Sequence, residues 1–214
     1  MPIFKSTEEA QKAHEHYHFD TDHEGKFTPR HTGWFRTQQL LDWMPKDEPI
    51  FLGIGCNSGG LEALMMREIP GSVGYGLDIQ KEMIVKAVKK GVMAKHGHAE
   101  ELPFKNNYFD VVTLSECLEH FYDDRLVLSE ALRVLKPGGL IIGSVPHPRG
   151  INAKKRPLEE HAYHTRIYNK KTLGELLKPL KKVEIVDIHF QYEIRAVDDK
   201  PQWMAFKGTK FEEK

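Results

Sequence analysis

The sequence predicts an α/β fold with a mostly parallel seven-stranded sheet, helices on both faces and a C-terminal antiparallel hairpin. Three observations support this fold class. Short apolar runs alternate with helical patterns through the middle of the chain, which is typical of parallel sheets. The first apolar run leads through a glycine-rich loop directly into a helical pattern. The last two apolar runs have no helix between them, so we expect them to pair antiparallel.

Hydrophobic periodicity and breaker residues set the bounds of each element. Pro45 ends one helix, and a Lys-Pro-Gly-Gly turn at 136–139 stops the helix that Asp123 or Asp124 caps. The predicted helices cover 6–16, 32–44, 59–68, 81–90, 124–135 and 172–178. The predicted strands cover 49–54, 73–78, 92–96, 109–114, 139–145, 183–190 and 202–207.

The chain length suits one domain. Its 214 residues are enough for a full core. We expect a single domain over 1–214, in which 1–48 forms an N-terminal helical cap. The irregular segment 146–170 is too long for an ordinary connection, and it leaves the carboxyl end of the fifth strand, where ligands bind in open α/β sheets. We therefore predict that this segment is a lid over the substrate.

The composition indicates which cellular environment and which binding partners to expect. Lys+Arg and Asp+Glu both number 31, so the net charge indicates no polyanionic partner. Cys56 and Cys117 do not make a disulfide framework and favour a reduced environment. The histidine-rich stretch at 14–23 matches no closed zinc pattern, so we expect no metal. The sequence shows no export signal or apolar membrane span, so we expect a cytoplasmic protein without a membrane partner.

A glycine-rich loop at 51–60 is the most informative segment. It reads Phe-Leu-Gly-Ile-Gly-Cys-Asn-Ser-Gly-Gly. Glycines permit positive φ and a close ligand approach, and the helix start offers unpaired N–H groups, so this is a nucleotide-binding element. The dinucleotide fingerprint would need glycine at Ser58, and a phosphate-binding P-loop would need lysine at Leu61. The Tyr-x-x-x-Lys pair of short-chain dehydrogenases is also absent from the sequence.

Four segments in one order resemble the motifs of class I S-adenosylmethionine-dependent methyltransferases. The glycine loop resembles their acidic-x-Gly-x-Gly-x-Gly motif. A second strand ends on an acid, a loop similar to Asp-Ala-x-x-Leu-Pro-Phe precedes the fourth strand, and a helix–turn–strand signature surrounds Lys-Pro-Gly-Gly. These three lie at 71–79, 98–120 and 130–142. The resemblance implies a Rossmann-like sheet, S-adenosylmethionine as the cofactor and methyl transfer as the activity.

The resemblance also implies which residues contact the cofactor. Backbone at Gly55 and Gly59 would hold its methionine part. Asp78 would bind the ribose, because a carboxylate at the end of a strand can accept from both hydroxyls. His98 replaces the family's aspartate in the adenine loop and would accept from the adenine amino group or stack on the ring. The remaining predicted contacts are Gly53, Cys56, Asn57, Ile79, Ala99, Glu100 and Ser115.

Two positions in the loop depart from the family pattern. Gly53 stands where the family has Asp or Glu, so a carboxylate that organises the methionine end is missing. Asn57 replaces the middle glycine, a mild change because Asn tolerates the left-handed region. For the carboxylate of the cofactor we expect a cation that precedes the first strand, and the candidates are Arg30, His31 and Arg36.

Methyl transfer from a sulfonium is an in-line displacement in which alignment and desolvation supply much of the acceleration. A base is needed only where the acceptor must lose a proton, as a hydroxyl must. His147 and His120 are the candidate catalytic residues. His147 is the preferred base because it lies just beyond the fifth strand, whereas a structural role is favoured for His120, after the fourth. His161 and His164 lie behind them in the lid.

The acceptor is less clearly indicated. The segment 114–117, Leu-Ser-Glu-Cys, lacks the Asn/Asp-Pro-Pro-Tyr/Phe of DNA amino-methyltransferases, so we expect no DNA substrate. The resemblance suggests a hydroxyl or amine of a small molecule. An RNA substrate, a weakly active scaffold and a nicotinamide oxidoreductase stay open, as does the oligomeric state. RNA remains open because the lid contains Arg149, Lys154, Lys155, Arg156 and Arg166, with Tyr163 and Tyr168.

Overall fold

A computed structural model describes residues 6, 8, 34–149, 164–189 and 201–212. The histidine-rich stretch at 14–23, Arg30, His31 and the lid residues 150–163 lie outside the described residues, as does most of the predicted helix at 6–16. The seven strands are β1 Ile50–Ile54, β2 Val73–Asp78, β3 Met93–His96, β4 Phe109–Ser115, β5 Leu135–Pro146, β6 Lys181–Ile188 and β7 Trp203–Thr209.

These strands form one sheet in the order β3-β2-β1-β4-β5-β7-β6. The first five strands pair in parallel, whereas β7 pairs antiparallel with both β5 and β6. The predicted mostly parallel seven-stranded sheet with a C-terminal antiparallel hairpin is therefore confirmed. β5 begins at Leu135, earlier than the predicted start at 139, because Leu135 already pairs with Phe109 before a register shift.

Five α-helices accompany the sheet in the described residues. Asp123 is the N-cap of the helix that follows it, and its side chain accepts from Leu126 N at 3.0 Å. None of these helices has both the length and the apolar character that a membrane span requires. The helices are α1 Trp34–Trp43, α2 Gly60–Glu68, α3 Lys81–Lys89, α4 Asp124–Val134 and α5 Lys170–Leu176, and a single 3-10 turn covers Leu118–His120.

Helices cover both faces of the sheet. Side chains alternate along a strand, so neighbouring residues of β1 enter different cores. Leu52 packs in one buried cluster with residues of α4 and α5, whereas Phe51 packs in another with residues of α1 and α2. Burial on both faces explains the nearly continuous apolar runs from which the strands were predicted.

The strand order places a topological switch between β1 and β4. From β1 the chain moves to β2 and β3 on one side, and then returns to β4 and β5 on the other. Ligands of open α/β sheets bind at the carboxyl ends of the strands beside such a switch. The glycine loop follows β1 at this edge, and Asp78 and Ser115 end β2 and β4 there.

Candidate active site

The glycine loop runs from β1 to α2 with three residues in the left-handed region. Gly55, Asn57 and Gly59 have φ values of 69°, 48° and 72°. The expectation that Asn57 replaces a glycine in this conformation is therefore confirmed. Gly55 N and Cys56 N both donate to Leu77 O, at 2.8 and 3.0 Å. The loop is thus fastened to the end of β2.

Gly59 is also required by packing. A Cβ at this position would lie 2.8 Å from Ala87 Cβ and 2.9 Å from Ala87 Cα in α3. We expect Gly59→Ala to lower the free energy of unfolding by about 2–4 kcal/mol, from overpacking together with the left-handed backbone. The control is Gly91→Ala, where φ is +85° but nothing lies within 4 Å. It should cost about 1–2 kcal/mol. Equal losses in urea denaturation would contradict the packing argument.

Asp78 links three parts of the site. Its Oδ2 accepts from Asn57 N at 2.8 Å and its Oδ1 accepts from Gln80 N at 2.9 Å. The backbone carbonyl of Asp78 accepts from Gly97 N, which brings in the adenine loop. Gln80, not Asp78, occupies the N-cap position of α3. A carboxylate has about four acceptor positions, so these backbone bonds are compatible with binding the ribose hydroxyls. Half-buried Ile79 lies beside it.

The predicted adenine loop lies beside the ends of β2 and β3. Ala99 is buried, whereas His98 and Glu100 are half-buried. His98 Nδ1 has no hydrogen-bond partner among the described residues. This buried ring nitrogen fits a contact with a ligand base, and the role of the three residues stays a prediction.

An ion pair in α4 holds the end of the adenine loop. Arg133 and Glu130 are joined by two hydrogen bonds of 2.6 and 2.7 Å. Arg133 also donates to the carbonyls of Leu102 and Phe104, while Leu102 N donates to Glu130 Oε2 at 2.8 Å. The Arg133 guanidinium lowers the pKa of the Glu130 carboxyl through these bonds. Both charged residues belong to the helix–turn–strand signature, which therefore positions the loop.

A carboxyl group fills the space beside Gly53. Glu62, in the first turn of α2, is 2% exposed. Its Oε1 lies 1.9 Å from where a Cβ on Gly53 would be. Burial raises the pKa of the Glu62 carboxyl to about 8, and nearby Asp78 contributes to the rise. The sequence indicated that no carboxylate stands at this position. The structure corrects this expectation, because a residue from another element provides it.

The end of β4 carries a network around Glu116. Its Oε1 accepts from Ser144 Oγ at 2.9 Å, and its Oε2 lies 3.1 Å from Arg36 Nη1. Ser115 Oγ lies 3.2 Å from Ser144 Oγ. Arg36 also stacks over the Trp203 ring, and its Nε has no partner among the described residues. Arg36 thus lies at the predicted edge but faces a carboxylate of the protein, and its contact with the cofactor stays a prediction.

Three residues that could ligate a metal cluster after β4. Oxygen of buried Glu119 and ring nitrogens of His120 and His164 all lie within 4.8 Å of one another. The two rings meet edge to face with centroids 4.7 Å apart. Burial, followed by the charge of Glu116, raises the pKa of the Glu119 carboxyl. We predicted no metal from the sequence, and this group is the place where the described residues could hold one.

His120 ends the turn that follows β4, and this turn begins beside the glycine loop. A Cβ on Gly55 would lie 2.9 Å from Cys117 Cβ, just before the 3-10 turn that ends at His120. His120 Nε2 lies 3.9 Å from Glu119 Oε1. The turn therefore carries a carboxyl–imidazole pair at the edge where the cofactor loop lies.

His147 is arranged differently. It is 5% exposed, and its Nδ1 accepts from Arg149 N at 3.0 Å. A ring nitrogen that accepts from an N–H has no proton, so the neutral ring carries its proton on Nε2, 3.8 Å from Asp187 Oδ1. Burial lowers the pKa of His147. In this arrangement neither nitrogen is placed to accept a proton from a substrate, which weighs against His147 as the base.

The described end of the predicted lid is bound to the turn after β4. Thr165 N and Thr165 Oγ1 donate to Glu119 O at 2.7 and 3.0 Å. Arg166 pairs with Asp124, and Tyr168 Oη donates to Asp124 Oδ2 at 2.6 Å. Arg166 and Tyr168, which we considered as nucleic-acid contacts, are thus engaged within the protein.

Cys56, in the glycine loop, and Cys117, after β4, are buried thiols. Burial raises the pKa of Cys56 and of Cys117 well above the ordinary thiol value. A Cβ on Gly76 would lie 2.7 Å from Cys56 Sγ, so this thiol packs against β2. Cys56 therefore supports the loop, and a contact with the cofactor can come from its backbone.

Two site residues, Glu62 and Glu119, are not predicted from the sequence. A usable signal existed for Glu62, because in a helix it shares a face with Met65, Met66 and Ile69. A glutamate on an apolar face indicates a specific role for a buried charge. Glu119 gave no such signal, since a three-residue 3-10 turn has no periodicity to interrupt.

Comparisons with known proteins find matches over the part of the chain that contains this site. Residues 52–143 match a family model described as a methyltransferase domain. A demethylmenaquinone methyltransferase of Bacillus mycoides is 34% identical over 126 residues, which cover 53% of this chain and 51% of the relative. The chain thus spans about half the length of the curated relatives it matches.

Solved structures share the fold. A Thermotoga maritima S-adenosylmethionine-dependent methyltransferase, described as a possible histamine N-methyltransferase, superposes with a TM-score of 0.74 at 21% identity and covers 90% of this chain and 96% of its own. Phosphoethanolamine N-methyltransferase 2 of Haemonchus contortus, in complex with S-adenosyl-L-methionine, gives a TM-score of 0.67 at 20% identity, covering 84% and 53%.

The fold and the ordered motifs are similar to those of class I S-adenosylmethionine-dependent methyltransferases, which use S-adenosylmethionine as their cofactor. The residues present fit this cofactor. Two buried polar atoms beside the glycine loop and in the adenine loop, Glu62 Oε2 and His98 Nδ1, have no partner in the described part of the chain. A cationic methionine end and an adenine amino group are suitable partners for such atoms.

Proposed function

We propose that this protein transfers the methyl group of S-adenosylmethionine to a hydroxyl or amine of a small molecule. The observation that carries the proposal is the position of His120. The carboxyl–imidazole pair of Glu119 and His120 lies in the turn at the carboxyl end of β4, and Cys117, just before this turn, packs against Gly55 of the glycine loop. The cofactor supplies an electrophilic methyl group, and the protein aligns the acceptor and excludes water.

In this proposal His120 is the base and Glu119 orients it. A carboxyl group beside an imidazole can orient the ring when the two approach within hydrogen-bond distance. Asp78 and the adenine loop hold the nucleoside part, and the glycine loop holds the methionine part. The lid over 146–170 and the cap over 1–48 would enclose the acceptor. Small-molecule specificity is supported by Arg166 and Tyr168, which bind within the protein instead of facing outward.

The scaffold hypothesis loses its main support. It relied on the missing carboxylate at Gly53, and Glu62 places a carboxyl group in that space. The relatives do not indicate which acceptor this protein uses, because their names include both a demethylmenaquinone and a phosphoethanolamine methyltransferase. A reduced, cytoplasmic setting remains part of the proposal and agrees with two unpaired buried thiols.

The test is a transfer assay with S-adenosylmethionine carrying a labelled methyl group. Phenols, alcohols, primary and secondary amines and RNA are offered separately, with and without EDTA. Label in a hydroxyl or amine compound supports the proposal. Label in RNA alone would contradict the acceptor class, and no label in any acceptor would favour the scaffold. Loss of activity in EDTA would assign a metal to Glu119, His120 and His164.

Two histidine variants separate the candidate bases. His120→Ala should lower kcat about 100-fold and leave the KM for S-adenosylmethionine nearly unchanged, because general-base catalysis contributes about 10²–10⁴-fold. His147→Ala should lower kcat less than about tenfold, since its ring is engaged by Arg149 N. The measurement is steady-state kinetics on the acceptor that the assay identifies. The reverse order of effects would assign the base to His147.

A further inference from the structure

The carboxyl group of Glu62 occupies the space into which a side chain at position 53 would extend. Gly53 is the fourth residue of β1 and pairs with Gly76 of β2 and Thr113 of β4, so it lies on the central strand. A side chain at 53 would meet Glu62 Oε1 at 1.9 Å and Cδ at 2.7 Å. The carboxyl group of Glu62 therefore stands where the first carbon atoms of an aspartate at 53 would stand.

In the absence of a ligand, the buried carboxyl group of Glu62 lowers the stability of the folded state. Glu62 is 2% exposed, and its Oε2 has no hydrogen-bond partner within the described ranges. A buried carboxyl group with one oxygen unpaired destabilises the folded state unless it is protonated or neutralised. An apolar residue would be expected at this point of α2 if packing were its only role. The conflict indicates that a ligand completes the environment of Glu62.

We propose that Glu62 binds the cationic methionine end of S-adenosylmethionine and so supplies the carboxylate that Gly53 lacks. This inference rests on the proposed use of that cofactor. Glu62 lies beside the glycine loop, while Asp78 ends the neighbouring strand and is predicted to bind the ribose. The sulfonium and the α-ammonium are both cations, so a buried carboxylate complements that end of the ligand.

Protonation of Glu62 gives the proposal a specific signature. With its pKa raised to about 8, the carboxyl group is mostly protonated at pH 7 in the protein alone. A bound cation favours the carboxylate and lowers this pKa, so binding should release up to about one proton. The charged groups that act on Glu62 are Asp78, which raises its pKa, and Lys90, which lowers it. The Cys56 and Cys117 thiols stay protonated because burial raises their pKa.

The experiment is calorimetric titration of S-adenosylmethionine at pH 7 in two buffers of different ionisation enthalpy. The unsubstituted protein should release a proton. Glu62→Gln should bind about 10- to 100-fold more weakly and release none, because a charge-assisted contact is lost. Glu68→Gln is the matched control: it lies in the same helix, is exposed and pairs with Arg67. It should behave like the unsubstituted protein.

A swap of positions tests the geometry. Glu62→Ala should weaken binding, and Gly53→Asp alone should lower the Tm because its carboxyl group collides with Glu62. The double variant Gly53→Asp/Glu62→Ala removes the collision and restores a carboxylate at the same place. It should recover most of the affinity that Glu62→Ala loses. Recovery would exclude a purely structural role for Glu62.

The Tm of the protein without cofactor is an independent readout. A carboxyl group with a raised pKa favours the folded state most at low pH, and this contribution is lost as pH rises from about 4.5 to about 8. Between pH 6 and 8, the Tm of the unsubstituted protein should therefore fall relative to the Tm of Glu62→Gln. Unchanged affinity and proton release in Glu62→Gln would overturn the proposal. Failure of the unsubstituted protein to bind would overturn the proposed function as well.

Discussion

Asp78→Ala is expected to weaken S-adenosylmethionine binding by about 100-fold. The variant loses the acceptor for the ribose hydroxyls and also leaves Asn57 N and Gln80 N without their partner. A hydrogen bond to a charged group contributes about 1.5–3 kcal/mol, and each tenfold in affinity is about 1.4 kcal/mol. The measurements are the Kd by calorimetry and the free energy of unfolding by urea denaturation.

A control separates cofactor binding from stability. Asp110 also bonds a backbone N–H, that of Ile50 at 2.9 Å, and pairs with Lys136. It lies near the start of β4, at the opposite end of the sheet from the site. Asp110→Ala should destabilise the fold by about 1–3 kcal/mol and leave the Kd nearly unchanged. Equal effects of the two variants on Kd would mean that Asp78 acts only through the fold.

Arg133→Ala has the second-largest expected effect, because it releases the adenine loop from α4. The variant removes the donors of Leu102 O and Phe104 O and the partner of Glu130. Part of the ion pair is exposed and contributes little, so most of the expected loss of about 1–3 kcal/mol comes from the unsatisfied carbonyls. The affinity for S-adenosylmethionine should fall about tenfold or more, since the loop must be ordered again on binding.

The loss of stability in Arg133→Ala should also depend on pH. Arg133 lowers the pKa of Glu130, so the pair stabilises the fold above the ordinary glutamate pKa, and the contribution is lost as pH falls through the lowered value. The stability difference between the unsubstituted protein and Arg133→Ala should therefore shrink below about pH 4. Arg125→Ala, at an exposed position of the same helix, is the control and should change neither stability nor Kd. A Kd for Arg133→Ala equal to that of the control would contradict a role of the ion pair in positioning the loop.

The fold and the cofactor edge could be predicted from sequence because their causes are local. Strand and helix bounds follow from periodicity and turn residues, and Asn57 adopts the left-handed region for a reason visible in the residue itself. The strand order then follows from a few connection rules, which place the glycine loop and Asp78 at one edge.

Residues that depend on distant elements could not be placed in this way. Arg36 is one of three candidates for the cofactor carboxylate, and its pairing with Glu116 could not be predicted from local sequence. His147 follows a strand at the predicted edge, yet a neighbouring N–H occupies its ring nitrogen. The carboxyl group beside Gly53 belongs to Glu62 of α2, nine positions later in the sequence. Only the packing of α2 against β1 shows that Glu62 fills the space of a side chain at position 53.

The most direct measurement is calorimetric titration of the purified protein with S-adenosylmethionine, S-adenosylhomocysteine and NAD. The glycine loop, Asp78 and the adenine loop predict binding of the first two and none of NAD. Binding of NAD alone would contradict the account, because it would make the loop a dinucleotide site despite Ser58. No binding of any of the three would leave a methyltransferase fold that serves as a scaffold, which would equally contradict it.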